Sequence, residues 1–234
     1  MELLTEGCRL VAQTEQFVLV DKLPGVIAQG ELGSLSYRLS KCYPQTGVFP
    51  VHRLDQVTSG LMLFAKDQAT ASELSQQFAN RQITKHYLAL SDRAPKKKQG
   101  TISGDMAPAR RGDWKLLKSR KNAAVTQFVS RSCGEGYRLY LLRPLTGKTH
   151  QLRVALKSIG APILGDPRYY RDSSADRCYL HAYTISFDCG AETYRYQSLP
   201  SEGAHFLKPG FLEAVRELGD PDARTWPTSY AQHK

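Results

Sequence analysis

His52-Arg-Leu-Asp-Gln-Val-Thr-Ser-Gly60, running directly into Leu61-Met-Leu-Phe-Ala-Lys66, joins a polar-dense loop to an apolar strand candidate. A second apolar run at 48–51 precedes it, so the loop connects two short strands. Upstream, Leu32, Leu35, Leu39 and Tyr43 recur at helical spacing and stop before Pro44. Downstream, Asp67 suits an N-cap for a helix that carries Ala71, Leu74 and Phe78 on one face. The first strong strand is Phe17-Val-Leu-Val-Asp21, closed by a turn at Pro24-Gly25.

Further strands are expected at 85–90, 123–129, 137–142, 178–187 and 193–199, with a helix opening at His150 and stopping at Gly160. Residues 206–218 read as helical, and the last dozen, with Pro221 and Pro227 nearby, as a tail. Short strands with irregularly interspersed helices predict an α+β domain over 1–200, built on a mixed, largely antiparallel sheet flanked by helices. Residues 201–234 then form a C-terminal helix and tail on the same domain.

The 234 residues hold 32 Lys and Arg against 22 Asp and Glu, a net charge of +10, which points to an anionic partner, nucleic acid being the commonest large one. Most of the excess lies at 96–98 and from Arg110-Arg111 to Lys121, a basic loop that suits either solvent or RNA. The longest apolar stretch, 61–65, is far short of the ~20 residues that span a bilayer. Glu2 and Glu6 stand where an export signal is basic. These features predict a soluble cytoplasmic protein with no membrane partner. Five scattered cysteines form neither a disulfide framework nor a zinc spacing, although Cys178 and Cys189 are candidates to face each other across strands.

Thr146-Gly-Lys-Thr149 lacks the upstream glycine of a phosphate-binding loop, where Leu142 stands instead. Ser59 lacks the first glycine of a nucleophile elbow, so a serine hydrolase would rest only on His52 being near in sequence. At the helix opening at His150, Lys148, His150 and Arg153 crowd cations where the macrodipole disfavours them. An anion should compensate. Leu152 and Val154 put Arg153 at the edge of a cleft, with a carboxylate of the Asp55 loop as one candidate partner. Asp55 by itself reads as a turn or cap aspartate, as most loop aspartates are.

The string His52 to Gly60 with its following apolar strand resembles the catalytic signature of the RluA family of RNA pseudouridine synthases, H-R-L-D-x-x-T-S-G. Asp21-Lys-Leu-Pro-Gly25 resembles the family's K-P-x-G turn, with Leu23 inserted. Lys85-His-Tyr-Leu-Ala89 resembles K-x-Y-x-A, and Leu145-Thr-Gly-Lys-Thr-His-Gln-Leu-Arg153 resembles L-x-T-G-R-T-H-Q-I-R. There Lys148 replaces an arginine, keeping the charge without the bidentate fork. Tyr179-Leu-His-Ala182 resembles a segment that packs behind the site. The resemblance covers about 17–199, and the early start of its first strand leaves no room for the RNA-binding S4 module of longer members.

The resemblance implies the pseudouridine synthase fold and an isomerase of ribosomal or transfer RNA that needs no external cofactor. Neither the cysteines nor the carboxylates form a metal cluster, no obligatory protein partner is evident in the sequence, and a monomer is expected. The resemblance also implies Asp55 as the essential carboxylate, Arg153 as the guanidinium beside it, and Tyr87 against the uracil. Arg53 would fill the gap left by a flipped uridine. His52 would shape the loop, and Lys148, Thr149, Arg110 and Arg111 would contact RNA. Two rivals come from other classes: a catalytically silent RNA-binding protein and a nucleoside hydrolase using Asp55. An intact Asp55, Tyr87 and Arg153 argues against the first. The lack of an Asp-rich metal cluster argues against a metal-dependent hydrolase.

Overall fold

The computed structural model of the chain describes residues 3–30 and 32–228. In chain order its strands are β1 (Leu3–Thr5), β2 (Cys8–Gln13), β3 (Phe17–Lys22), β4 (Phe49–Pro50), β5 (Ser59–Ala65), β6 (Thr84–Ser91) and β7 (Gln99–Gly104). They continue as β8 (Met106–Pro108), β9 (Trp114–Leu116), β10 (Ala124–Ser132), β11 (Arg138–Pro144), β12 (Leu180–Cys189) and β13 (Glu192–Gln197). The helices are α1 (Leu35–Cys42), α2 (Gln68–Ala79), α3 (Gln151–Ser158) and α4 (Pro209–Leu218). The architecture is α+β. Residues 1–85 with 181–200 form one compact unit, and 86–180 with 201–234 form another.

In the first unit the strands lie in the order β1-β2-β3-β5-β12, with β13 on β12 and β4 on β5. All pairings but one are antiparallel; β12 runs parallel to β5, setting His181 opposite Ser59 and Ala182 opposite Gly60. Every residue of β3 and β5 is buried, so each carries a continuous apolar run, 17–20 and 61–65, instead of an alternating one. Phe17, Leu19, Leu61, Leu63, Ile185 and Phe187 form the centre of one core, closed by Ala71 and Leu74 of α2.

Asp67 does cap α2, accepting from Thr70 N at 2.8 Å and Thr70 Oγ1 at 2.7 Å. The first helix is shorter than its leucine spacing suggests, because Ser34 caps it by accepting from Tyr37 N and leaves Leu32 85% exposed. The strand expected at 48–51 contracts to two residues, since Pro50 has no amide to give a ladder. Cys178 and Cys189 cannot face each other across strands. One precedes β12 and the other ends it, on the same run of chain.

In the second unit the order is β6-β11-β10-β7, each pair antiparallel. The basic loop is built, not irregular: β8 and β9 pair as a separate hairpin with a 3₁₀ turn at Arg110–Gly112 between them. The expected tail is partly core. Trp226 is buried, stacks on His86 at 5.3 Å with rings 7° apart, and donates from Nε1 to Pro221 O. Pro227 O accepts from Thr101 Oγ1 and Gln127 Nε2. The remainder of that tail, 229–234, lies outside the described residues. Among the described residues no helix is long and apolar enough to cross a membrane.

Candidate active site

The loop from His52 to Thr58 is held by main chain and by two unusual side chains. His52 Nε2 accepts the Leu63 amide at 2.9 Å, and its ring stacks on Phe78 at 4.5 Å. Burial, with the Lys85 charge nearby, pushes the His52 pKa down to about 3. A neutral ring keeps the acceptor that Leu63 needs. Lys85 sits over the other part of the same cluster, 4.8 Å from the Phe78 ring, and burial lowers its ammonium to about 8.

Lys22 is fully buried, and its ammonium donates to the carbonyls of Leu23, Val26 and Gln56. Gly25 N also donates to Gln56 O, and Gln56 Nε2 returns a bond to Gly25 O. The Lys22-Leu-Pro-Gly25 turn is thereby tied to the residue after Asp55. On the other side Thr58 N donates to Asp55 O, closing a tight turn. The Asp55 main chain is fixed from both directions, and its side chain is half-buried. Arg53, two residues earlier, is exposed.

Behind the loop Ser59 Oγ lies 2.8 Å from His181 Nδ1, while His181 Nε2 meets Ser198 O at 2.9 Å. Ser198 Oγ then donates to Asp21 Oδ2. A ring that donates from Nε2 to a carbonyl must accept at Nδ1, so the Ser59 hydroxyl is the donor. Both residues are buried, which makes the pair a strut and removes the serine nucleophile reading. Gly60 follows with φ +109, and a Cβ there would stand 2.3 Å from Ala182 O, so glycine alone fits the parallel crossing.

In the second unit Tyr87 sits on β6 opposite Leu142 of β11 and is half-buried. The turn before α3 is organised by Gln151, whose Oε1 accepts from Thr146 Oγ1 and Lys148 N. Its Nε2 donates to Val125 O and Thr126 Oγ1 on β10. Lys148 Nζ donates to Asn122 Oδ1, and Thr149 is exposed. His150 begins the helix in a left-handed conformation, φ 55, with Nδ1 2.8 Å from the Tyr169 hydroxyl.

Arg153 is not at the edge of a cleft. Its side chain is 3% exposed, and it forms a fork with Asp166, Nε to Oδ2 and Nη2 to Oδ1, both at 2.8 Å. Asp166 is a compensating anion that the sequence reading missed. Burial alone would raise its carboxyl, but the bonds and charge of Arg153, with the amides of Arg168 and Tyr169, hold it below the ordinary range. Arg110 and Arg111 lie exposed in the 3₁₀ turn of the β8–β9 hairpin. Arg168 Nη1 donates to Arg111 O, and Arg168 and Arg171 both approach Asp113, so this basic surface is braced by an internal carboxylate.

A family of RNA pseudouridylate synthases matches residues 16–158. An RNA pseudouridine synthase of Haemophilus influenzae, described as uncharacterized, is 44% identical over 211 residues, 88% of this chain and 94% of that protein. The dual-specificity RNA pseudouridine synthase RluA of Salmonella typhimurium is 31% identical over 189 residues, 76% of this chain and 85% of its own. The solved structure of human RNA Pseudouridylate Synthase Domain Containing 1 superposes with a TM-score of 0.70 at 27% identity, covering 82% of this chain and 83% of that one. The class is that of isomerases acting on RNA. The chain belongs to the RNA pseudouridylate synthase family, and within it to the RluA group.

Proposed function

We propose that the protein converts uridine in ribosomal or transfer RNA to pseudouridine, with Asp55 as the essential carboxylate. The reaction breaks the bond from C1′ to N1, turns the uracil while it is held, and joins C5 to C1′, with C5 losing a proton and N1 gaining one. Atoms and electrons balance within the nucleoside, so no cofactor enters. The observation that supports this reading most is the fixing of the Asp55 main chain from both sides, by the Lys22–Gln56 clamp and by the Thr58 turn. A carboxylate that must meet one atom of a rotating base gains from a backbone that does not move.

In this reading Tyr87 offers its ring face to the uracil, and Arg153 is the guanidinium of the site. Arg53 takes the place of the uridine, which leaves its stack because its reacting atoms are otherwise hidden. Arg110, Arg111, Lys148 and Thr149 contact the RNA backbone. His52 contributes through loop shape. The protein works in the cytoplasm as a monomer.

Pseudouridine mapping across ribosomal and transfer RNA, in a strain lacking the protein, tests the substrate assignment. One or a few uridines should lose the modification and regain it with the parent gene but not with Asp55→Asn. Unchanged maps of both RNA classes would refute it.

A further inference from the structure

We propose that a basic cavity where β10 runs past the end of β7 holds a phosphate of the substrate RNA, at a place on the second unit that the reading above does not use. The inference rests on RNA being the substrate and adds a second point at which its backbone is held. The β7–β10 ladder ends at Gln99 opposite Val129, and Ser130 then bonds to Lys98 O through both its amide and its hydroxyl. Beyond that point opens a cavity of about 430 Å³, lined by Lys98, Arg131, Arg138 and Arg224 with Ser130 and Ser132. None of its lining residues is acidic.

Two of these cations are engaged by α4. Arg131 pairs with Glu217, Nε to Oε2 at 2.5 Å, and donates from Nη1 to Glu217 O at 3.3 Å. Arg224 donates from Nη2 to Leu218 O, on the last residue of the helix, while its buried Nε has no hydrogen-bond partner. These contacts offset the negative C-terminal end of α4 and fix two guanidinium groups in the cavity wall. Arg138 is held more lightly, by one bond from Nε to Ser130 Oγ at 3.3 Å, and Lys98 is exposed. Among the described residues no carboxylate lies within ion-pair distance of Lys98, Arg138 or Arg224.

The β8–β9 hairpin shows what the chain does where it neutralises such a cluster itself. There Asp113 stands between Arg168 and Arg171, at 3.4 and 3.3 Å. The cavity has no such residue, and like charges gathered around one hollow favour an anion from outside. The remaining Arg138 donors, the Lys98 ammonium and the Ser132 hydroxyl are the donor types that phosphate oxygens accept. Position in the sheet favours an RNA phosphate. Leu142 is opposite Tyr87 and Arg138 lies four residues before Leu142 on β11, so Arg138 and Tyr87 share a face of the sheet. Their positions along the strand differ by about 13 Å. An RNA strand with one base against Tyr87 covers that distance within a few nucleotides.

The test measures affinity for unfractionated ribosomal and transfer RNA between about 50 and 200 mM salt. It compares the parent, Lys98→Gln, the Lys98→Gln/Arg138→Gln double variant and Arg216→Gln, with melting temperatures beside them. Arg216 is exposed near the end of α4 and does not line the cavity, so its variant controls for net charge. The double variant should reduce the slope of log affinity against log salt by roughly 0.7–0.9 for each of two lost contacts, Lys98→Gln by one such step, and Arg216→Gln by none. If the double variant does not fold, Lys98→Gln, at an exposed position, carries the test. Inorganic phosphate is the second probe: in nuclear magnetic resonance both it and the RNA should shift the Arg138 Nε–H signal. Parent salt slopes in folded cavity variants, an equal loss in Arg216→Gln, or an Arg138 signal that RNA leaves unmoved would overturn the proposal. So would a shift caused by inorganic phosphate with RNA binding unchanged in the variants, which would make the occupant a free phosphate-bearing molecule. Failure of the parent itself to bind RNA would instead defeat the reading of RNA as substrate on which the proposal stands.

Discussion

His52 Nε2 can accept the Leu63 amide only while the ring is neutral, and burial with the Lys85 charge keeps it so down to about pH 3. In an unfolded chain the ring would titrate near 6.5. The sign follows: this group's stability is fully present above pH 6.5 and is lost as pH falls from there toward 3, because the unfolded chain takes up a proton that the folded one refuses. Nuclear magnetic resonance of the imidazole carbons should show one histidine, absent from the spectrum of His52→Gln, that does not titrate between pH 7.5 and 5. A His52 resonance shifting with a midpoint near 6.5 would contradict this. Some of these contacts leave no trace in the sequence. Asp166 stands in a Gly-Asp-Pro run that signals a turn, and nothing local says that its carboxylate receives an arginine one helix earlier. Lys22 was legible as part of a turn motif, but its three carbonyl partners come together only in the fold.

Among the elements, β3, β5, α2, β6, β10, β11, α3 and α4 were legible from apolar periodicity and caps, which are local signals. The hairpin of β1 and β2, the small-residue strand β7 and the β8–β9 hairpin were not. Their sequences lack strong alternation, and their pairing is decided by neighbours. The β8–β9 hairpin turns the basic loop into a shaped surface, with Arg110, Arg111, Lys115 and Lys118 exposed on and beside it. Replacing these four by Gln should weaken RNA binding and reduce the slope of log affinity against log salt by roughly 0.7–0.9 per lost phosphate contact. The rate at saturating RNA should survive. An unchanged salt slope would move the RNA path away from this hairpin.

For the whole molecule, the chain end is part of what keeps the second unit folded. Trp226 is 8% exposed against His86, so Trp226→Ala should cost about 3 kcal/mol, lowering the melting temperature by on the order of 6–12 °C. Calorimetry of this variant beside Thr228→Ala, at an exposed position, checks it; equal melting points would mean that the stacked ring contributes nothing. In the proposed reaction one carboxylate on a clamped loop, Asp55, is what separates isomerisation from RNA binding. Tritium release from RNA labelled at uracil C5 measures it directly, using the parent and Asp55→Asn at saturating RNA with affinity determined in parallel. Asp55→Asn should fold, bind RNA about as tightly as the parent and release no tritium, since an amide keeps the shape and can act neither as nucleophile nor as base. Tritium release by Asp55→Asn at more than a few per cent of the parent rate would contradict the account.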